Sequence, residues 1–447
     1  MTPRPTRRSA IAGSGVTLTA VALGACAPPN QGEVNAEPTL PPSDGQVTVS
    51  YWSWFKDLQK VADIFNESQD RIRVEVTWIP GGDSGGYAKM LSAVAAGAGP
   101  DIGHVDMRSV PEFALAGALV DLTRYGFAEQ EDQFAPSAIN QVKIDSSIWA
   151  VPQDYGPVAT FYNREVLEGE LGLDPPATWE EFYETAGIVS EAGKKLISLD
   201  PSDGFIPIAW VMQSGATWFR PEGDGWIVDM TDDASMRVAE FWDQIFAERL
   251  VGTGYGATTT PWYAAAAEGN VLAAIGGSWS DALIETVPGG EGKWAVAPMP
   301  VWADGSGYAS GVHGSSSAVI MSNTQHPVEA LEFLTWLSTD PVGIDAMIDY
   351  SGMGWSTAKD YIGKSRQEPS EFFSGQNYNE EVIVPMGEGQ NLEWTWAPLM
   401  QRVSTVIGDG MTDAVTGEVP LVDMFADAQT EIVEIMREIG LNAEEAR

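Results

Sequence analysis

The stretch "QVTVSYWSWFKDLQKVADIFNESQDRIRVEV", residues 46–76, contains two strand patterns around one helical pattern. Residues 46–55 are rich in β-branched and aromatic side chains and predict a buried strand. Residues 57–70 repeat apolar side chains at helical spacing, and 71–80 alternate as a second strand. A helix of small residues and a third short strand at 100–106 follow. The order β-α-β-α-β with short loops predicts an α/β fold, a parallel or mixed sheet covered by helices.

Later segments add further helices. In "PATWEEFYETAGIVSEAG" (176–193), Thr178 is followed three residues later by Glu181, which is typical of a capping box. "HPVEALEFLTWLST" (326–339) and "LVDMFADAQTEIVEIMREIGLNAEEA" (421–446) predict two more helices. No repeat of fixed period is visible, so the pattern does not favour a solenoid.

The N-terminus has the pattern of an export signal that ends in a lipidated cysteine. Three arginines precede a weakly apolar stretch at 10–25, which is too short and too rich in Gly, Ser and Thr to span a bilayer. The stretch ends in Leu23-Gly24-Ala25-Cys26 and resembles the bacterial lipobox. This resemblance implies a lipoprotein signal peptide at 1–25 and lipidation of Cys26, the only cysteine in the chain. Residues 26–45 are rich in Pro and polar groups, which predicts the lipid anchor and a disordered tether.

Two points about this leader stay open. An ordinary cleavage site with an incidental cysteine is the alternative to the lipobox. The paired arginines at 7–8 also leave open whether the export route is Sec or twin-arginine. In either case we expect an exported protein.

The composition excludes several classes of function. A formal net charge of −39 disfavours nucleic acid and anionic lipid, since both need a clustered positive field. With three histidines and one cysteine, we expect no metal, no cofactor and no Cys/His catalysis. Most of the 17 Trp, 12 Tyr and 15 Phe residues must pack the core, and their surplus over ordinary usage favours a ligand with flat apolar faces. The roughly 400 residues after the tether suffice for two domains.

Several segments resemble, in order, the extracellular solute-binding proteins of bacterial ABC importers, in particular the sugar-binding family with the maltose-binding fold. The segments are "VTVSYWSW" with the helix and strand after it, "AAGAGPDIGHVD", "EFALAGALVDLT", "IWAVPQDYGPVATFYNREV", "PPATWEEF", "AAAAEGNVLAAIGGSW", "GVHGSSSAVIMS" and "HPVEALEFLTWLS". The resemblance covers nearly all of residues 46–440. It implies a two-lobed periplasmic-binding-protein-like fold with a hinge and an interlobe ligand cleft. The implied lobes are 46–155 plus 311–355 (N-terminal) and 156–310 plus 356–447 (C-terminal).

The resemblance also implies a function. The protein would be a surface-anchored component of an ABC importer that captures a neutral saccharide, expected to be an oligosaccharide, and delivers it to the transmembrane permease subunits. We expect it to be a monomer, lipid-anchored at the outer face of the bacterial cell membrane, and not an enzyme.

Two alternatives remain. A cationic ligand such as a polyamine suits the acidic balance and the aromatic residues, through cation–π contacts. A secreted glycoside hydrolase would also use tryptophans, but it needs two carboxylates that face each other across the site. The chain has no Gly-x-Ser-x-Gly nucleophile elbow.

A sugar site needs aromatic faces for the C–H patches and convergent polar groups for the hydroxyls. Trp279 ends a predicted strand at a Gly-rich bend, and the matching position of the family often stacks on sugar. Trp54 lies nearer the loop than Trp52, which is on the same side of the first strand. The remaining candidates, each with core packing or a structural cap as its alternative role, are Asp106, Asp154, Tyr155, His313, Trp355, Trp394 and Trp396. Of the last two, one is expected to face the cleft.

Overall fold

The computed structural model describes residues 39–223 and 225–446, with the backbone alone for Asp83. Residues from Leu40 onward form one unit by their contacts. The predicted signal peptide, the lipobox, Cys26 and most of the predicted tether lie outside the described residues. In the described part, no helix is both long and apolar enough to cross a membrane.

The elements alternate between strand and helix along much of the chain. The strands are β1 Val47–Ser53, β2 Ile72–Trp78, β3 Ile102–Asp106, β4 Lys143–Ile144, β5 Ser147–Ile148, β6 Val151–Asn163, β7 Phe219–Glu222, β8 Gly225–Val228, β9 Ala273–Gly277, β10 Trp294–Pro298, β11 Val312–Ile320 and β12 Ala443–Glu445. The α-helices are α1 Leu58–Ser68, α2 Gly86–Ala95, α3 Val110–Leu115, α4 Pro136–Val142, α5 Trp179–Glu191, α6 Phe205–Ser214, α7 Asp233–Ala247, α8 Thr260–Ala267, α9 Ser280–Ile284, α10 Pro327–Thr339, α11 Pro341–Ala346, α12 Val384–Glu388, α13 Met400–Thr416 and α14 Leu421–Glu438. Short 3₁₀ or π turns include Met107–Ser109, Glu165–Glu170, Met347–Ser351 and Asn379–Ile383.

The opening β-α-β unit forms because its apolar residues follow two different periods. In β1 every second residue from Val47 to Ser53 is buried. In α1 the buried residues recur at the spacing of one helical face: Leu58, Val61, Ala62 and Phe65. β1 pairs in parallel with both β2 and β3. The α/β unit predicted from residues 46–106 is confirmed.

Seven of the described strands form one sheet, in the order β10-β6-β11-β3-β1-β2, with β9 also paired to β6. β6 is the long member, and all 13 of its residues are buried. Its first half, up to Pro157, pairs with β11, which in turn pairs with β3. Its second half, from Val158 onward, lies between β9 and β10. The chain therefore passes from one part of the sheet to the other along β6.

Most of the tryptophans pack the core. The fully buried ones are Trp179, Trp218, Trp242, Trp262, Trp294 and Trp355. Thr178 and Glu181 form the predicted capping box at the start of α5, each side chain bonded to the backbone of the other. The capping-box prediction is confirmed. The high aromatic content mainly fills the core, so by itself it does not indicate a ligand.

The ordered body begins earlier than the sequence predicts. The Leu40 N–H donates to Tyr125 Oη, and the Ser43 N–H donates to Glu329 Oε1 at 2.6 Å. The Ser43 hydroxyl also bonds His326 Nδ1 at 2.9 Å. A disordered tether extending to residue 45 is therefore too long, because polar groups distant in sequence hold its last residues. Composition alone gives no sign of those partners.

The C-terminus also differs from the prediction. α14 ends at Glu438, and β12 then pairs in parallel with β8. The interpretation of residues 421–446 as one helix is correct only for its first part. Gly440, with a φ of +89°, adopts the left-handed conformation that ends the helix.

Candidate functional site

A cleft of about 510 Å³ opens beside the middle of β6. Its wall combines the loop after β1, the end of β3, the middle of β11 and the start of α6. Because β1 and β3 are parallel, their carboxyl ends meet at one edge of the sheet, where ligands of open α/β sheets bind. We call this the main cleft; it is lined by Trp54, Phe55, Asp106, Arg108, Asp154, Asp203, Phe205, Trp279, His313, Gly314, Ser315, Ser316 and Gly352.

Trp54 supplies an aromatic surface to the main cleft, and neighbouring rings on the side away from the cleft fix its orientation. His104, on β3, stacks on its ring with centroids 3.6 Å apart and planes at 13°. Tyr87 meets the same indole edge to face at 5.9 Å. Burial lowers the pKa of His104 to about 3, so the imidazole is neutral and packs like any flat ring. With one side covered by His104, Trp54 leaves the other side to the main cleft.

His313 reaches the main cleft because β11 bulges at this point. The register between β6 and β11 shifts between Val312 and Ser315, which places one extra residue on β11. Gly314 has a φ of +72°, and a Cβ there would lie 2.7 Å from Trp279 Nε1, so the bulge requires glycine. His313 Nε2 lies 3.9 Å from Asp203 Oδ2. Burial lowers the pKa of His313 despite this carboxylate, which favours the neutral ring.

Trp279 lies where β9 ends and α9 begins. Its Nε1–H donates to the His313 carbonyl oxygen at 2.7 Å, and the two rings are 5.4 Å apart. This bond ties the indole to the bulge of β11 while leaving the ring half-buried. Trp279 therefore gives the main cleft a second fixed aromatic surface.

Asp106 and Arg108 form a charged pair in the wall. Arg108 Nη2 lies 2.8 Å from Asp106 Oδ2, and both side chains are largely buried. The Arg108 guanidinium also lies over the Phe205 ring, 4.0 Å from its centroid. The pair thus links the end of β3 to the start of α6 across the main cleft, and its opposite charges balance.

Asp154 is the buried carboxyl group of the main cleft. Its Oδ1 accepts the backbone N–H groups of Tyr155 and Trp355, both at 3.0 Å. Burial raises the pKa of Asp154 to about 6, although the Trp355 N–H and the charge of Arg366 both act to lower it. The group therefore changes charge just below neutral pH.

A second buried cluster lies behind this wall. Arg366 makes a two-pronged contact with Asp281, through Nε to Oδ2 and Nη2 to Oδ1. Tyr378 Oη donates to Asp281 Oδ2 at 2.7 Å. Arg366 Nη1 donates to the Gly354 carbonyl oxygen at 3.1 Å. Burial raises the pKa of Asp281, and the charge of Arg366 opposes that rise.

The structure places five of the sequence-predicted ligand residues away from the wall of the main cleft. Trp52 is half-buried and lies under Lys89 Nζ, 4.7 Å from the ring. Tyr155 and Trp355, each 1 % exposed, pack on each other at 5.1 Å. Trp394 and Trp396, each 5 % exposed, meet edge to face at 5.6 Å.

Other elements pack against these residues, but Trp396 also lines a small pocket whose wall shares Arg108, Phe205 and His313 with the main cleft. Trp396 Nε1–H donates to Gln141 Oε1 at 3.0 Å, and Trp394 lies against Trp218 at 5.9 Å. A Cβ on Gly387 would come within 2.8 Å of the Trp355 ring, so α12 covers that indole closely. The position of a residue in a Gly-rich or loop segment of the sequence does not show whether other elements cover its side chain.

Sequence reasoning missed several wall residues: Phe55, Arg108, Asp203, Phe205, Ser315 and Ser316. Two signals were available. Arg108 follows Asp106 at a distance of two residues, and the serines directly follow His313 and Gly314 on β11. Asp203 and Phe205 gave no signal, because their place depends on how α6 packs. Within the described residues, no group of three or more His, Cys, Asp or Glu is arranged to hold a metal ion.

Relatives of known name match a large part of the chain. An arabinooligosaccharide-binding protein of Halalkalibacterium halodurans is 25% identical over 259 residues, which are 56% of this chain and 57% of that protein. One from Bacillus subtilis is 20% identical over 295 residues, 63% of this chain and 66% of that protein. The chain thus spans 57% and 66% of the lengths of these two relatives.

Solved structures match over a larger share. The galacto-N-biose-/lacto-N-biose I-binding protein of an ABC transporter from Bifidobacterium longum, in complex with lacto-N-biose, is 26% identical with a TM-score of 0.79. The match covers 90% of this chain and 100% of that one. An ABC transporter associated binding protein from B. animalis subsp. lactis, in complex with β-1,6-galactobiose, matches at 22% identity and a TM-score of 0.75, with the same coverage. The two-lobed α/β fold class is confirmed.

The family model described as bacterial extracellular solute-binding protein matches residues 52–344. These residues hold nearly all of the main cleft, from Trp54 to Ser316. Together, the match and the fold show that the chain belongs to the bacterial extracellular solute-binding protein family.

Proposed function

We propose that this protein is the solute-binding component of an ABC importer and that it binds a neutral saccharide, an oligosaccharide, in the main cleft. The observation that carries the proposal is the pair of fixed indoles, Trp54 and Trp279, set among Asp106, Asp154 and His313. Aromatic faces cover the C–H patches of a sugar, and these polar groups can bond its hydroxyls. The names of the relatives support a saccharide.

The charges of the wall disfavour an anionic ligand. Asp106 and Arg108 balance each other, so this pair neither attracts nor repels an ion strongly. Asp154 and Asp203 repel an anion. A neutral molecule with many hydroxyls meets no such repulsion, because a hydroxyl donates to carboxylates and accepts from Arg108. The same two carboxylates would attract a polyamine, so the screen below includes polyamines.

We propose that the lobes are 46–155 plus 311–355 and 156–310 plus 356–447, as the resemblance implies. The change of partners along β6 after Pro157 supports the first crossing. These lobes require three crossings, and the bridge between Phe134 and Ala358 supports a last crossing slightly later than residue 355, after Ala358. Ligand would be enclosed as one lobe closes on the other.

We also propose that the protein acts outside the cell as a monomer, held to the outer face of the membrane by a lipid on Cys26, and that it delivers its ligand to permease subunits. It binds without catalysing a reaction. The relatives of known name are binding proteins, which supports this part of the proposal.

A binding screen tests this function. The chain from residue 27 onward is titrated with mono-, di- and oligosaccharides, polyamines and amino acids by thermal shift, and products are sought by mass spectrometry. A ligand at 100 times its Kd adds about 2.7 kcal/mol of stability. We expect a shift with one saccharide class and no product.

Matched variants locate the site. Trp54→Leu and Trp279→Leu should each abolish the shift, since each removes an aromatic surface of the main cleft. Trp78→Leu is the control, because Trp78 is 66 % exposed at the end of β2. The proposal is contradicted if a polyamine raises the melting temperature and no sugar does, or if mass spectrometry detects a cleaved sugar. It is also contradicted if all three variants lose the thermal shift equally.

A further inference from the structure

A second cavity of about 290 Å³ adjoins the main cleft. The two share Asp203, Trp279 and His313 in their walls, so they meet at the edge of the Trp279 ring. We call the second cavity the side chamber. At roughly 30 Å³ for each water in the liquid, it is large enough for a substituent of several heavy atoms.

Residues from one side of the main cleft form nearly the whole wall of the side chamber. Apart from His313, its wall comes from residues 197–206, 256–259 and 274–280. All three stretches lie within residues 156–310, which belong to the proposed C-terminal lobe. Its shape is therefore set mainly within one lobe, with His313 as the contribution of the other.

The side chamber has a larger apolar share of wall than the main cleft. Its apolar side chains are Ile197, Leu199, Ile206, Ala257, Ala274 and Ile275. Two of its four hydroxyl groups donate to the backbone: Ser198 Oγ to the Tyr255 carbonyl at 2.6 Å, and Thr259 Oγ1 to the Gly256 carbonyl at 2.8 Å.

Its two carboxylates are each engaged at one oxygen. Asp200 Oδ1 accepts the N–H and the hydroxyl of Ser202 at 3.0 and 2.6 Å, and Asp203 Oδ1 accepts the Phe205 N–H at 3.0 Å. A sugar hydroxyl that enters would lose its water partners and meet carboxylates that already make hydrogen bonds within the protein. An apolar group loses no hydrogen bond on entry and gains by burial. The chamber therefore favours apolar ligand parts more than the main cleft does.

We propose that the side chamber binds an apolar substituent of the saccharide, an alkyl, aryl or acyl group, while the sugar ring lies in the main cleft between Trp54 and Trp279. This inference rests on the proposed saccharide function. It adds a substrate class: substituted sugars and glycosides with an apolar group that passes the edge of Trp279.

The test uses matched ligand pairs in calorimetric titration. The probes are the methyl and phenyl glycosides of β-D-galactopyranose, α-D-glucopyranose and α-L-arabinofuranose, together with the free oligosaccharides. For a sugar that binds, the phenyl member should bind about tenfold more tightly than the methyl member, because only phenyl fills the chamber.

Two variants fill the chamber from different walls. Ala257→Phe acts from a half-buried loop position and Ile206→Phe from the first turn of α6, where Ile206 is also half-buried. Each should erase the phenyl preference while leaving the Kd of the methyl member within about threefold of the unsubstituted protein. Ala257→Ser adds little volume and should keep the preference. Either filling variant suffices if the other fails to fold.

The outcomes separate the two proposals. Equal binding of methyl and phenyl members, or a phenyl preference that survives both filling variants, overturns the inference and leaves the saccharide function intact. Longer free oligosaccharides that lose affinity in Ala257→Phe would assign the chamber to a second sugar ring, which also overturns it. If no free or substituted sugar binds, the proposed function fails and this inference with it.

Discussion

The substitution Asp154→Asn should stabilise the ligand-free protein at neutral pH. The carboxyl group of Asp154 is 9 % exposed, and burial raises its pKa from 3.8 to about 6. At ~1.4 kcal/mol for each pKa unit, this rise makes the charged form about 3 kcal/mol less favourable in the folded state than in the unfolded chain. The amide of D154N has no charge, and its Oδ1 still accepts the N–H groups of Tyr155 and Trp355.

The sign follows from proton linkage. A folded-state pKa above the unfolded value means that the folded state binds the proton more tightly, so the stability from this group is complete below pH 3.8 and is lost as pH rises through about 6. D154N removes this dependence. We therefore expect it to be more stable than the parent by up to about 3 kcal/mol at pH 7.5, with the difference shrinking toward zero near pH 4.

Urea unfolding monitored by circular dichroism and tryptophan fluorescence, at pH 7.5 and pH 4.5, measures this difference. Asp349→Asn, at an exposed position, serves as the control for the change in net charge. A loss of more than about 1 kcal/mol in D154N at pH 7.5 would show that the charged form contributes net stability through Arg366, and would refute the reasoning. The same variant should bind saccharide more weakly, since an amide is a poorer acceptor than a carboxylate.

Three further outcomes follow from the geometry. If the carboxylate form of Asp154 is the one that binds, saccharide affinity should be about tenfold weaker at pH 5 than at pH 7.5, because about one tenth of the carboxyl groups are charged at pH 5. A saccharide Kd that stays constant between these pH values contradicts this prediction. Arg366→Met should lower the free energy of unfolding in urea by about 3–5 kcal/mol, because it leaves Asp281 buried and unpaired. Adding Asp281→Asn should restore part of that loss. A loss below about 1 kcal/mol in Arg366→Met would show that the Arg366–Asp281 pair contributes little to stability. His104→Ala should raise the saccharide Kd by freeing the rear face of Trp54, and the ratio of the variant Kd to the parent Kd should be the same at pH 5 and pH 8. A ratio that changes across that range would mean that the imidazole of the parent protein titrates there.

Local periodicity was enough to predict the elements that frame the site. The strands β1, β2 and β3 follow from the patterns over residues 46–106, although the predicted first strand, 46–55, extends two residues beyond β1 and therefore includes Trp54, which lies just past the end of β1. The order of segments along the chain then predicted the fold class. Both signals are carried by residues close together in sequence.

The rest depends on partners that are distant in sequence. Trp279 and Trp355 both lie next to glycines, yet one lines the main cleft and the other is 1 % exposed, because Tyr155 and Gly387 cover it. The bulge that directs His313 into the cleft exists only in the register between β6 and β11, more than 150 residues apart. No local pattern encodes such a register or such cover, so the choice among tryptophans required the structure.

A single peptide group joins the two sides of the wall behind the main cleft. The Trp355 N–H donates to Asp154 and the Gly354 C=O accepts from Arg366, so the bond between residues 354 and 355 lies between an anion and a cation with its dipole aligned to both. Arg366 continues to Asp281 in the first turn of α9, and Trp279 is the residue directly before that helix. Hydrogen bonds therefore link Asp154, in the wall of the main cleft, to α9. We expect the charge of Asp154, although it costs stability, to help hold the segment from residue 354 to 366 against α9.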